Sequence, residues 1–399
     1  MALPKIAVGT CDPSITSLPT ITQAVAAIGT NGTIEICPGS YPEQVTINRS
    51  MNLTGLTYGN SSYPSVTVPP GGLVQNTVDL DGGLPTAAQL LITGGATVNI
   101  KNLTIDGTGN NVQTCGLDPV GVLFQNGSGS IKSSAVVNQV LPAGYTGCQS
   151  GLAIYAESGN GGVSTVTIQN NVVQNFDKNG ITADDAGTTA IIMNNTVIGQ
   201  GSWDGAGQNS IQVAFNAVAR VSNNVVGDDI WGPDQLGDTG DAATGILIYD
   251  TPGVSITANN ITSTQGGIAV VYDGAAGYSS DSAIITGNKI ANTIFYDGID
   301  LCGAGKATIA KNSVNGSANS AIHIDSSCGI ASTGNSVSGN IVNSACAGIL
   351  VGSGSDTPSG SNTLLNTVNQ VLTGSDVCPI GNPAHYVHIK GKRAAPFRP

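Results

Sequence analysis

Short stretches of apolar and polar alternation recur along most of the chain. They read Gly151-Leu-Ala-Ile-Tyr155, Gly180-Ile-Thr-Ala-Asp184, Ser210-Ile-Gln-Val-Ala214, Gly245-Ile-Leu-Ile-Tyr249, Gly267-Ile-Ala-Val-Val271, Gly298-Ile-Asp-Leu-Cys302, Ala321-Ile-His-Ile-Asp325 and Gly348-Ile-Leu-Val-Gly352. A small residue followed by period-two alternation marks a short strand with one buried face. A second phrase is interleaved with the first, as in Val166-Thr-Ile-Gln-Asn-Asn171, Ile191-Ile-Met-Asn-Asn195, Arg220-Val-Ser-Asn-Asn224, Ile284-Ile-Thr-Gly-Asn288 and Thr308-Ile-Ala-Lys-Asn312. With Asn171, Asn195, Asn224, Asn260, Asn288, Asn312 and Asn335 as markers, the repeat length runs from 23 to 36 residues. A near-constant minimum with occasional insertions predicts one structural coil repeated, some copies carrying longer loops.

The coils must be built of strands. Helical repeats need apolar spacings of three and four over ten or more residues, and 55 glycines with 18 prolines argue against that. Stacking the coils places each marker Asn over the next at the strand spacing of about 4.8 Å, where its amide can both donate and accept. Those asparagines are therefore expected to hold the stack together and to take no part in chemistry. A one-dimensional stack has no size ceiling, so 399 residues fit a single domain.

At the N-terminus the pattern changes. Ile21-Thr-Gln-Ala-Val-Ala-Ala-Ile28 predicts a short amphipathic helix, and the strand-like Gly32-Thr-Ile-Glu-Ile36 and a Pro38-Gly39 turn follow it. Such a helix would cover the open end of a stack. These features together resemble the pectin-lyase-like right-handed parallel β-helix superfamily over residues 15–372. The resemblance implies an all-β, single-stranded right-handed parallel β-helix with an N-terminal capping helix. Expected boundaries are a cap with the first strands over 1–40, the β-helix proper over 41–378, continuous with the cap, and a tail over 379–399.

The resemblance also implies a lean toward glycan chemistry, since the superfamily includes pectate lyases, polygalacturonases, pectin methylesterases, alginate lyases and epimerases, and phage tailspikes. Tyr296-Asp297-Gly-Ile-Asp300 resembles the first polygalacturonase motif, but Gly-His-Gly and Arg-Ile-Lys are absent. The motifs of the esterases and epimerases are absent as well. Two functions follow: a secreted polysaccharide lyase or glycoside hydrolase working in a groove along the Gly-Ile strand, or a non-catalytic glycan-binding or surface scaffold.

Composition narrows the partners. A net charge of −12, with 13 basic residues and no basic stripe before the tail, argues against nucleic acid. No apolar run reaches membrane-spanning length. An acidic surface repels polyuronates unless a cation such as Ca2+ bridges them. Eight cysteines without a C-x-x-C spacing suggest disulfides, with Cys11–Cys37, Cys115–Cys148, Cys302–Cys328 and Cys346–Cys378 as local pairs. That points to an extracellular or periplasmic protein whose signal peptide has been removed.

Candidate chemistry is sought on the outward positions of the Gly-Ile strand. With its isoleucines inward, one outward column reads Ala153, Thr182, Gln212, Leu247, Ala269, Asp300, His323 and Leu350, and the next reads Tyr155, Asp184, Ala214, Tyr249, Val271, Cys302 and Asp325. Asp300, His323 and Asp325 become neighbours, and a carboxylate beside an imidazole orients it and raises its pKa. A second catalytic candidate is Lys178 with Asp184 and Asp185, where a turn lysine precedes an outward carboxylate and its neighbour: Lys with a calcium-binding Asp would supply the base and the cation that a lyase requires. Asp228, Asp229, Asp234, Asp238 and Asp241 crowd the longest insertion and offer an oxygen shell for Ca2+. Trp203 and Trp231, in two adjacent insertions, are expected to be exposed platforms for a sugar ring, with Tyr249 and Gln212 as further substrate contacts.

Overall fold

The computed structural model describes residues 3–57, 63–80, 82–232, 242–274, 277–356, 358 and 360–374. The chain divides into two units, residues 1–196 and 197–398. Each is a right-handed parallel β-helix in which a typical full coil contributes three short strands, two of them running together as Ser313–Asp325 and Ile341–Val351 in later coils.

Among the described residues of the first unit, Ile21–Ala27 is the one helix, capped by the Thr20 hydroxyl, which accepts from Gln23 N. Glu43 adds a carboxylate at the same end, accepting from Ile21 N at 2.7 Å and Thr22 N at 2.8 Å, which complements the partial positive charge there. Ile21, Ala24 and Val25 are the buried face. Behind the helix, coils stack in register. Ile100, Ile131, Ile168 and Ile192 stand one above another. Ile105, Val136 and Val173 form a second inward stack, and Ile92, Phe124, Ala156 and Ala183 a third.

The second unit repeats the plan. Val221, Ile256, Ile285, Ile309 and Val337 align, as do Val226, Ile261, Ile290, Val314 and Val342. The third stack is the alternating strand read in the sequence: Ile211, Ile246, Ile268, Ile299, Ile322 and Ile349. All are buried. At about 1.5–3 kcal/mol for each fully buried aliphatic side chain, these stacks are the main cohesive term.

Between the first two strands of a coil the chain turns through a left-handed residue followed by an inward Asn. Asn170, Asn194, Asn223, Ala258, Gly287, Lys311 and Gly339 carry the positive φ. In the second unit the side-chain amides of Asn224, Asn259, Asn288, Asn312 and Asn340 each donate to Oδ1 of the next, ending on Asn362, at 2.9–3.0 Å. Asn171 donates to Asn195 in the first unit at 3.0 Å. Two markers from the sequence differ. Asn260 is exposed while Asn259 occupies the inward place, because Ala258 takes the left-handed position that an Asn was expected to fill. Asn335 instead binds the Ala307 and Ala304 backbone in another turn of its coil, and the inward place belongs to Asn340.

Disulfides join Cys11 to Cys37, Cys115 to Cys148 and Cys302 to Cys328. Cys346 is also disulfide-bonded, while its expected partner Cys378 lies outside the described residues, as does the tail over 379–399.

Candidate functional site

In the second unit the outward column has the expected register: Gln212, Leu247, Ala269, Asp300, His323 and Leu350 are successive partners. Ala214, Tyr249, Val271, Cys302 and Asp325 form the next column. In the first unit the register is shifted by two from expectation. Tyr155 stands opposite Thr182, and Leu152 opposite Asn179, because the strand begins at Leu152, one residue after Gly151, which is itself held at φ +93°.

Asp300 and His323 meet as adjacent-rung partners, with His323 Nδ1 3.7 Å from Asp300 Oδ1. Nδ1 also lies 3.2 Å from Asp297 Oδ2, and Nε2 3.8 Å from Asp325 Oδ1. Three carboxylates thus surround one imidazole that is only 5% exposed. Two of them are held from behind. Asp297 Oδ1 accepts from Ser320 N at 2.9 Å and from the Ser320 hydroxyl. Asp325 Oδ1 accepts from Ser327 N at 3.0 Å, and its other oxygen from the Ser327 hydroxyl. Asp300 has no such support: its Oδ1 is buried and accepts no hydrogen bond. Its side chain, 18% exposed, is the member of the cluster nearest solvent.

Burial works against charge on His323, but Asp297, Asp325 and Asp300 overcome it and raise its pKa to about 10. Asp300 is pushed well above the carboxylate range by burial; the His323 charge pulls down, and Asp325 and Asp297 push up. Gly298 makes the close approach possible. A Cβ there would come within 2.5 Å of Val314 Cγ1 and 2.7 Å of the Ala321 carbonyl oxygen. Asp297 is the member that strand alternation could not reach, since it precedes the strand Ile299–Cys302. The available signal was its place in the Asp297-Gly-Ile-Asp300 phrase.

The other expected groups are placed differently. Lys178 is buried, and so are Asp184 and Asp185. Asp184 and Asp185 belong to an acidic group with Asp79 and Glu157. Tyr155 Oη lies 3.0 Å from Asp79 Oδ2 and 3.1 Å from Glu157 Oε2. Asp185 is raised to about 8 by burial and by the charges of Asp184, Glu157 and Asp79. Glu157 and Asp79 were not legible, because Asp79 comes from a hairpin over 77–92 that pairs antiparallel with its own return strand.

Of the five loop aspartates, Asp234, Asp238 and Asp241 lie outside the described residues. Asp228 is exposed, and Asp229 is fully buried with its Oδ2 accepting from Ser210 Oγ at 2.7 Å. Trp231 is buried, so it is no exposed platform, whereas Trp203 is half-buried. The two loops do touch, since a Cβ on Gly232 would come 3.2 Å from the Trp203 carbonyl oxygen. Tyr249 and Gln212 are buried too; Tyr249 Oη donates to Asp273 Oδ2 at 2.6 Å and its ring packs edge-on against Phe215 at 5.6 Å.

Residues 150–367 match the family model described as the right handed beta helix region. The chain belongs to this family. No curated protein sequence matches it. Among solved structures, this right-handed β-helix protein is similar to a lacto-N-biosidase of family GH136 from Eubacterium ramulus, with 12% identity and TM-score 0.53, over 91% of this chain and 67% of that one. It is similar to the catalytic domain of a GH87 alpha-1,3-glucanase in complex with nigerose, with 15% identity and TM-score 0.59, over 92% and 65%. It is also similar to the A-module of the Azotobacter vinelandii mannuronan C-5 epimerase AlgE4, with 14% identity and TM-score 0.54, over 88% and 91%. The chain therefore spans about two thirds of the two hydrolase chains. At these identities the likeness establishes the fold and leaves the chemistry to the residues.

Proposed function

We propose that this protein is a secreted carbohydrate-active enzyme that cleaves or modifies a polysaccharide at Asp297, Asp300, His323 and Asp325. The observation that carries the reading is the burial of one imidazole among three carboxylates on an outward face. Burying ions costs several kcal/mol each before partners repay it, and the fold itself does not ask for them. Leu247, Ala269 and Leu350 fill the same column at other rungs. Titratable groups held at such cost concentrate where protons or charge are handled. Asp300 sits at the solvent edge and is the group that meets substrate; Asp297 and Asp325, braced by Ser320 and Ser327, are positioning residues for His323.

Support for a glycan comes from the scaffold, which serves a lacto-N-biosidase, an alpha-1,3-glucanase and a mannuronan epimerase. The disulfides fit an oxidising compartment. Trp203 offers a partly exposed ring in the same unit. The test is turnover on a panel of uronate and neutral polysaccharides, followed by unsaturated products for a lyase and by reducing ends for a hydrolase. His323→Ala and Asp300→Ala are each expected to lower turnover at least about a hundredfold, with the unfolding midpoint showing that both still fold. Full turnover in both variants would move the site elsewhere.

A further inference from the structure

We infer that Asp297, Asp300 and His323 form a binding site for a single first-row divalent cation, with Zn2+ the best fit. The inference deepens the reading above and rests on the same cluster, with a cation in place of the protons there. Its geometry can be worked from three donor atoms, one on each residue, all within 4.8 Å of one another. With His323 Nδ1, Asp297 Oδ2 and Asp300 Oδ1 taken as the donors, two sides of the triangle are 3.2 and 3.7 Å, from Nδ1 to Asp297 and to Asp300. A point equidistant from all three then lies about 1.9–2.4 Å from each, which brackets the bond lengths Zn2+ makes to imidazole nitrogen and carboxylate oxygen.

Three further features fit a cation. Asp300 Oδ1 is buried without a hydrogen bond, a loss that a metal bond would make good. Asp297 accepts from Ser320 through Oδ1, and its Oδ2 lies 3.2 Å from His323 Nδ1. On the far side of the ring, His323 Nε2 faces Asp325 Oδ1 at 3.8 Å. A ligating histidine commonly gives its other N–H to a carboxylate, which fixes the tautomer that leaves the first nitrogen free to bind. Asp325, itself fixed by Ser327, occupies that place. One nitrogen and two oxygens suit Zn2+, whereas Ca2+ asks for six to eight oxygens at longer range. Three protein ligands leave a position open, where a bound water or glycan oxygen would be activated.

Calorimetric titration of the chelator-stripped full chain with ZnCl2 and, separately, CaCl2 tests this without any glycan. One Zn2+ per chain is expected, with no comparable Ca2+ binding. His323→Ala, Asp297→Asn and the edge variant Asp300→Asn should each weaken Zn2+ binding at least about a hundredfold, and Asp325→Asn about 10–100-fold. Unchanged circular dichroism shows that a variant is folded. A His385→Ala/His388→Ala double variant, in the tail, should bind as wild type does. Titration with CoCl2 should give the visible absorption of a low-coordinate site in wild type and not in His323→Ala. The proposal is overturned by absence of Zn2+ binding, by undiminished binding in His323→Ala, or by its loss in the tail variant. Zn2+ binding without turnover of any polysaccharide sinks the enzymatic reading and leaves the cation site standing; turnover by a chain that binds no Zn2+ does the reverse.

Discussion

Asn288→Ala is the sharpest test of how the second unit is held in register. Asn288 Oδ1 accepts from Asn259 N at 2.9 Å and from Asn259 Nδ2 at 3.0 Å. Its own amide donates to the Ile256 carbonyl and to Asn312 Oδ1, both at 3.0 Å. The side chain is fully buried, so water cannot replace these partners. Truncation removes four hydrogen bonds and strands the Asn259 backbone N–H. A stranded buried donor costs about 1–3 kcal/mol, and each of the other three bonds is worth about 0.5–1.5 kcal/mol net, for a total loss of about 5 kcal/mol. Asn288→Asp separates hydrogen bonding from volume. It keeps both acceptor contacts but turns an oxygen toward the Ile256 carbonyl and Asn312 Oδ1, so it should cost at least as much. The control is Asn315→Ala, which loses one exposed bond from Asn343 and should cost no more than about 1 kcal/mol. Urea unfolding, with the shift in midpoint scaled by the slope, reads all three. If Asn288→Ala falls within about 1 kcal/mol of Asn315→Ala, the inward asparagines do not hold the coils together and the reasoning fails.

Ala258 occupies a left-handed turn at φ +56° where other coils use Gly, Asn or Lys, and left-handed backbone costs a residue with a Cβ about 1–2 kcal/mol. Ala258→Gly should therefore raise the urea midpoint, against the usual penalty for added glycine. Asp118 is fully buried and raised to about 8 by burial, against the Gly151 N–H that it accepts, with Asp79 and Asp177 pushing further up. A carboxyl whose folded pKa exceeds its unfolded value stabilises below the unfolded value near 4, and that contribution is lost at up to about 1.4 kcal/mol per unit as pH rises through 8. Asp118→Asn should thus match wild type near pH 4, be more stable at pH 8, and flatten the slope of unfolding free energy between them. Gly298→Ala should abolish turnover and Zn2+ binding together, since its Cβ collides with Val314 and the Ala321 carbonyl behind the His323 cluster.

The fold was legible because the coil writes itself into the sequence once per repeat. Each inward Ile of the Gly-Ile strand sits two residues from the next inward place, and parallel pairing carries that parity unchanged from rung to rung. The same arithmetic brought Asp300, His323 and Asp325 together before any coordinates. It failed where a loop or strand start resets the count. Tyr155 pairs with Thr182 and not Asp184, and Asn259 displaces Asn260, because an offset of one or two residues at a turn is invisible to a period read within strands. Burial was the other blind spot. Trp231, Tyr249, Gln212, Lys178 and Asp184 all point outward from a strand or sit beside one, yet all are buried.

That difference between pointing outward and being exposed bears on where the chemistry lies. In a coil of three strands, an outward side chain is exposed only where nothing lies over it. In the first unit a hairpin brings Asp79 to Tyr155 and Glu157. The four acids there sit too deep to meet a polymer, and Asp185, raised to about 8, relieves their repulsion by holding a proton. In the second unit Asp300 keeps an exposed edge while the groups behind it are braced and buried. Both clusters bear the cost of buried acids, but of the two it is the one around His323 whose carboxylate, Asp300, reaches solvent, which is why we propose the chemistry there.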